Sequence, residues 1–124
     1  MKSPEETKIK APEISIVIPV YNEKENLAPL DEQITKYMAP LNKDYEVVLV
    51  DDGSKDGSVE LIRTLKNHNP RLHLVRFGQN HGQTAAFLAG FKKARGDIII
   101  TMDADLQNSP ADIPLLLETI KEYD

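Results

Sequence analysis

The segment DIIITMDADLQ, Asp97 to Gln107, decides how the rest of the chain is read. Its apolar, largely β-branched run, Ile98 to Met102, is bounded by polar residues and delivers two carboxylates, Asp103 and Asp105, at its far end. A parallel strand covered on both faces carries such a continuous run, and open α/β sheets bind their ligands just beyond the carboxyl ends of the strands. The expectation is a buried strand opening into a site. Side chains two apart in extended backbone point the same way, so the two acids can converge on one cation across the small Ala104. Hard oxygen donors favour Mg2+ or Mn2+.

Upstream, the same unit recurs. Ile14 to Val20 (ISIVIPV) is strand-like and should stop near Pro19, which lacks a ladder donor. Tyr21-Asn22-Glu23 then leads into a helix with Leu27, Leu30, Ile34 and Met38 on one face and Asn22 or Asn26 as cap. A second strand from Tyr45 ends in Asp51-Asp52-Gly53-Ser54, and Val59, Ile62 and Leu65 trace the helix after it. Leu72 to Phe77 alternates more and belongs nearer a sheet edge. The helix from about Gln83 to Ala94 carries Ala85, Ala86, Ala89 and Gly90, small enough for close packing on the sheet, with Gly96 as a left-handed cap. Pro110 to Tyr123 gives a last helix with Ile113, Leu116, Leu117 and Ile120 inward, capped by Asn108 or Ser109. Alternating strands and helices predict an α/β fold, a Rossmann-like parallel sheet with helices on both faces. The polar clusters at Tyr21 to Glu23, Asp51 to Ser54 and Asp103 to Gln107 then share its carboxyl edge.

Composition narrows the partners. A net charge of −5 without a dense Lys/Arg cluster argues against nucleic acid, and no cysteine is available for a disulfide or thiolate site. No apolar run approaches the ~20 residues of a transmembrane helix. Neither the dinucleotide glycine fingerprint nor the phosphate-loop lysine pattern is present. Residues 1–13, rich in Lys, Glu and Pro, read as a lead-in to a single domain over 14–124.

PVYNEKENL at Pro19 to Leu27, VDDGSKDGS at Val50 to Ser58, NHGQTAAFLAGFKKARGD at Asn80 to Asp97 and DADLQNSP at Asp103 to Pro110 together resemble family 2 glycosyltransferases. The likeness is strongest to the branch that moves a sugar from a nucleotide donor to a polyprenyl phosphate, including dolichyl-phosphate mannose synthases and undecaprenyl-phosphate sugar transferases. The resemblance implies a GT-A fold, a nucleotide-diphospho-sugar donor (UDP- or GDP-sugar) and a polyprenyl phosphate or other glycosyl acceptor. It implies that Pro19, Tyr21, Glu23 and Asp51 line the base and ribose pocket, with Asp103 also near the ribose. It further implies that Asp103, Asp105 and Gln107 hold Mg2+ or Mn2+ at the diphosphate. Asp52 is expected to hold the Gly53 turn. The implied location is cytoplasmic, at the inner face of the membrane in a longer protein.

Simpler readings stand beside these. Asp51 and Asp52 could form an Asx turn, Asp103 and Asp105 a solvated loop or cap, Tyr21 a packing residue, and Gln83 only the start of its helix. His81 is assigned no role. A response-regulator receiver would place its acid pair after the first strand, whereas here the pair follows the second. The resemblance also implies that the acceptor wall and general base lie beyond Asp124, so no catalytic base is assigned. The half-domain could instead be a donor-binding module without turnover, and its uncovered strand edge could be closed by a homodimer.

Overall fold

β-Branched residues fit a pleated surface, and ISIVIPV forms β1 (Ile14–Val20) with every side chain but Pro19 buried. The computed structural model describes residues 11–105 and 109–123. After β1 come α1 (Lys24–Met38), a 3-10 turn (Ala39–Leu41), β2 (Tyr45–Asp51), α2 (Ser58–His68) and β3 (Leu72–Arg76). Then follow α3 (Gln83–Lys93), β4 (Ile98–Thr101), a second 3-10 turn (Pro110–Asp112) and α4 (Ile113–Tyr123). The strands form one parallel sheet in the order β3-β2-β1-β4, which puts β1 and β2 at its centre and β3, as expected, at an edge.

The two-residue side-chain period of β1 divides the core. Ile14, Ile16, Ile18 and Val20 face a layer built from α1, α2 and α4, where Leu27, Leu30, Ile34, Met38, Ile62, Ile113 and Leu117 are buried. Val17, with Val48 and Val50 of β2, faces α3 through Ala86. That helix lies close because Gly90 has no side chain; a Cβ there would collide with Val17 Cγ1. Pro19 is tolerated in a central strand for a related geometric reason. Residues of β1 alternate their backbone bonds between neighbours, and Val17 already accepts from Met102 past the end of β4, so the missing donor of Pro19 falls where β4 has turned away.

Several expectations are corrected. β4 is not covered on both faces: it is an edge strand, and Ile99 is 43% exposed while Ile100 is buried. The continuous apolar run therefore does not report two-sided burial within this chain. Leu116 is 47% exposed rather than inward. Gly96 is not a left-handed cap; it is needed because a Cβ would lie 2.7 Å from the backbone of Ile14 and Ser15. Neither Asn22 nor Asn26 caps α1. The cap position is Glu23, and the first-turn N–H of Lys24 donates instead to Asp56 Oδ2 from another loop. Ser109 does accept from Ala111 N at the second 3-10 turn.

A buried carboxylate fastens the amino edge of the sheet. Glu46 of β2, 3% exposed, accepts from Ser15 Oγ at 2.6 Å, Arg95 N at 2.7 Å and Arg95 Nε at 3.3 Å, and His73 Nε2 lies 3.5 Å away. Burial alone would raise its pKa, but the Ser15 hydroxyl and the Arg95 backbone and guanidinium donors outweigh that and hold it below 4.5. The folded state thus prefers ionised Glu46. Its stabilisation is present above the unfolded-state value and lost as pH falls through the lower folded value. Glu46→Gln is expected to cost about 1–3 kcal/mol at pH 7 and to flatten the loss of stability below about pH 4.5, as denaturant melts across pH 3–7 would show.

Candidate functional site

Three loops leave the carboxyl ends of β1, β2 and β4 on the same side of the sheet, and with the start of α3 they enclose a cavity of about 480 Å³. From the end of β1 and the loop after it come Pro19, Val20, Tyr21 and Glu23; from the second loop, Asp52; from the β3–α3 connection, Asn80 and Gly82, with Gln83 at the start of α3; from the last loop, Asp103, Ala104 and Asp105. Pro19, Tyr21, Glu23, Asp103 and Asp105 are thereby brought together as the sequence predicts. Gln107 lies outside the described residues. Tyr21 is 48% exposed, so it is not a packing residue of the core.

The adjacent acids of β2 divide their work in an unexpected way. Asp51, not Asp52, holds the Gly53 turn: its Oδ2 accepts from Ser54 N at 2.9 Å. Asp51 is 1% exposed and does not line the cavity, and its Oδ1 has no hydrogen-bond partner among the described residues. A buried acceptor left without a donor is costly. Asp52, 4% exposed, reaches the opposite way. Its Oδ1 accepts from His81 N at 2.6 Å, and its Oδ2 from Gly82 N at 2.9 Å and Asn80 Nδ2 at 3.0 Å. Gly53, at φ +80°, lets this loop close over the β2 end; a Cβ there would lie 2.6 Å from Asn80 N and Gln79 C.

The first loop is fastened to the second in the same manner. Asn22, in a left-handed conformation at φ 52°, donates its N–H to Ser54 Oγ at 2.8 Å and accepts from Lys55 N at 2.9 Å. Asp56 joins Lys24 N to Ser58, whose hydroxyl lies 2.6 Å away. The slight burial of Asp56 raises its pKa, but the bonds from Ser58 and Lys24 prevail and keep it ionised below its usual range. Tyr21 and Glu23 are therefore carried on a loop bonded at several points.

Also lining the cavity, Gln83 donates from Nε2 to Asp103 Oδ1 at 3.1 Å. Sequence reasoning gave Gln83 only a helix-start role and His81 none. Both lie in the quoted stretch from Asn80, but an amide bond spanning 20 residues has no local signature. No group of three or more His, Cys, Asp or Glu residues suited to a metal occurs among the described residues. Asp103 and Asp105 nevertheless fit Mg2+ or Mn2+, which are held by one or two carboxylates with the remaining positions left to water and phosphate oxygens. Glu23, Asp52, Asp103 and Asp105 line the cavity without any Lys or Arg among its described lining residues, so an anionic ligand is unfavourable there unless a cation accompanies it.

Comparison with known proteins agrees with this architecture. The chain matches glycosyl transferase family 2 over residues 15–124. It is 49% identical over 113 residues to an undecaprenyl-phosphate 4-deoxy-4-formamido-L-arabinose transferase of Aeromonas hydrophila, covering 90% of this chain and 35% of that protein. To the transferase of the same name from Yersinia enterocolitica it is 47% identical over 123 residues, covering 97% and 37%. The chain thus spans about a third of the length of these curated relatives. Among solved structures, the mannosyltransferase PcManGT of Pyrobaculum calidifontis, in complex with GDP-Man and Mn2+, superposes with a TM-score of 0.68 at 30% identity, covering 77% of this chain and 28% of that one. Staphylococcus aureus TarS with UDP-GlcNAc gives 0.74 at 23% identity, covering 89% and 31%, a likeness of fold. The sheet and its helices are part of a GT-A domain. The match over nearly the whole sequence, on a parallel sheet shared with solved glycosyltransferases, makes this chain a member of glycosyl transferase family 2.

Proposed function

We propose that this chain is the donor-binding part of a glycosyltransferase that moves a sugar from a nucleotide diphosphate, UDP or GDP, to a polyprenyl phosphate, with a divalent cation at the diphosphate. The observation that carries the reading is the convergence of Pro19, Tyr21, Glu23, Asp103 and Asp105 on one cavity at the carboxyl edge of the sheet. The family match and the names of the relatives support it, since the latter are undecaprenyl-phosphate transferases.

In this reading the cavity is polarised along its length. Tyr21 offers a half-exposed ring on which a base can stack, and Glu23 stands two residues on as an acceptor. Asp51, buried outside the cavity lining, supports this end by holding the Gly53 turn through its bond from Ser54 N. Asp103 and Asp105 mark the diphosphate end. When bound, the cation neutralises charge on the departing nucleoside diphosphate. The chain's own residues supply position: the bonds from Asn22 and Asp56 hold the base end, and those to Asp52 hold the loop between the two ends.

The reading separates two substitutions. Asp105→Ala removes a carboxylate at the diphosphate end and is expected to abolish the gain in UDP or GDP affinity that Mn2+ confers, while leaving metal-free nucleotide binding within about twofold. Tyr21→Ala should do the reverse, weakening nucleotide binding about tenfold with and without Mn2+, in line with loss of a ring on which the base stacks. Calorimetry of UDP, GDP, UDP-sugars and GDP-mannose, each with and without Mn2+, measures both. Mn2+ without effect on nucleotide binding to the unaltered chain would overturn the reading, and donor binding without sugar release would mark a binding module instead of a transferase.

A further inference from the structure

Gln83 opens α3 with its side chain turned toward the cavity, where Nε2 lies 3.1 Å from Asp103 Oδ1. A carboxylate can only accept, so the amide must present its NH2 group to Asp103. One Asp103 oxygen is thereby engaged, and the carboxylate's rotation about its own axis is restrained. Gln83 is exposed and contributes nothing to the core. Its position is nonetheless dictated from below. The residues just before it are fastened to the buried Asp52 by His81 N and Gly82 N, at 2.6 and 2.9 Å. Gly82, at φ +97°, then turns the chain into the helix.

We propose that Gln83 is a positioning residue for the cation site. Its amide holds Asp103 Oδ1, which would leave Oδ2 for the metal, and Asp52 sets the place of Gln83 by holding His81 and Gly82 just before it. This deepens the proposed function and rests on its reading of Asp103 as a cation ligand. The physical basis is general to metal sites: a ligand whose remaining oxygen is hydrogen-bonded binds without first losing rotational freedom, and removing such a partner costs 10- to 100-fold in metal affinity. A surface glutamine that merely starts a helix would have no such effect.

The test is titration of Mn2+ into the chain with saturating UDP or GDP, followed by the electron paramagnetic resonance of free Mn2+, for the unaltered protein, Gln83→Ala and Gln83→Met. Methionine keeps the length and helical preference of glutamine but cannot donate. Both variants are expected to weaken Mn2+ binding about 10- to 100-fold, with an unfolding midpoint within a few degrees of the unaltered chain's. Affinity equal to the unaltered chain in both variants overturns the inference. So does loss in the alanine variant alone, which would assign the effect to packing. If the unaltered chain binds no Mn2+, it is the cation reading of Asp103 and Asp105 that fails, a result distinct from either.

Discussion

The Asp52 carboxylate, buried at the end of β2, is bonded by two backbone N–H groups and the Asn80 amide of a remote segment. Burying a polar group is costly unless it is hydrogen-bonded, and here the donors come from a loop 28 to 30 residues away. Closing that loop fixes where α3 begins. The start of α3 in turn fixes Gln83, and with it one side of the cavity. Asp52 further donates its own backbone N–H to Val20 O, so the first loop is registered against the second at the same point.

The sheet provides the other half of this arrangement. β1 and β2 are central and buried on both faces, which leaves their carboxyl ends as rigid platforms for Tyr21 and the Asp51-Asp52 pair. The small residues of α3 let that helix lie against β1 and β2, and Gly96 lets the chain return beside Ile14 and Ser15 to begin β4. At the opposite edge of the sheet Glu46 performs a comparable service, drawing Ser15 and Arg95 to one buried carboxylate. Two buried acids thus secure α3, one at each end: Asp52 before its first turn and Glu46 after its last.

Much of the fold was legible from pattern alone, and its corrections have physical causes. The α1 face, Leu27, Leu30, Ile34 and Met38, is buried as its spacing predicts, and LHLVRF lies at an edge as its alternation suggests. The β4 run misled because apolar continuity records a residue's suitability for burial, whereas Ile99 stands on an edge strand with its face open in this chain. Leu116 is the same case on α4. Capping of α1 was misassigned because the acceptor, Asp56, comes from 32 residues further on and not from the neighbouring asparagines.

By itself, the sequence determined the alternation of strands and helices, the parallel sheet, and the gathering of Tyr21, Glu23, Asp103 and Asp105 at one edge. It could do so because side-chain period and strand polarity are local properties that topology then propagates. Only the tertiary structure decided which acid of the Asp51-Asp52 pair holds the turn and which holds the distant loop, that Asp51 Oδ1 has no partner among the described residues, and that Gln83 meets Asp103. Adjacent aspartates are chemically identical in sequence. Their roles diverge because successive residues of a strand end point to opposite sides, toward neighbours supplied by remote segments.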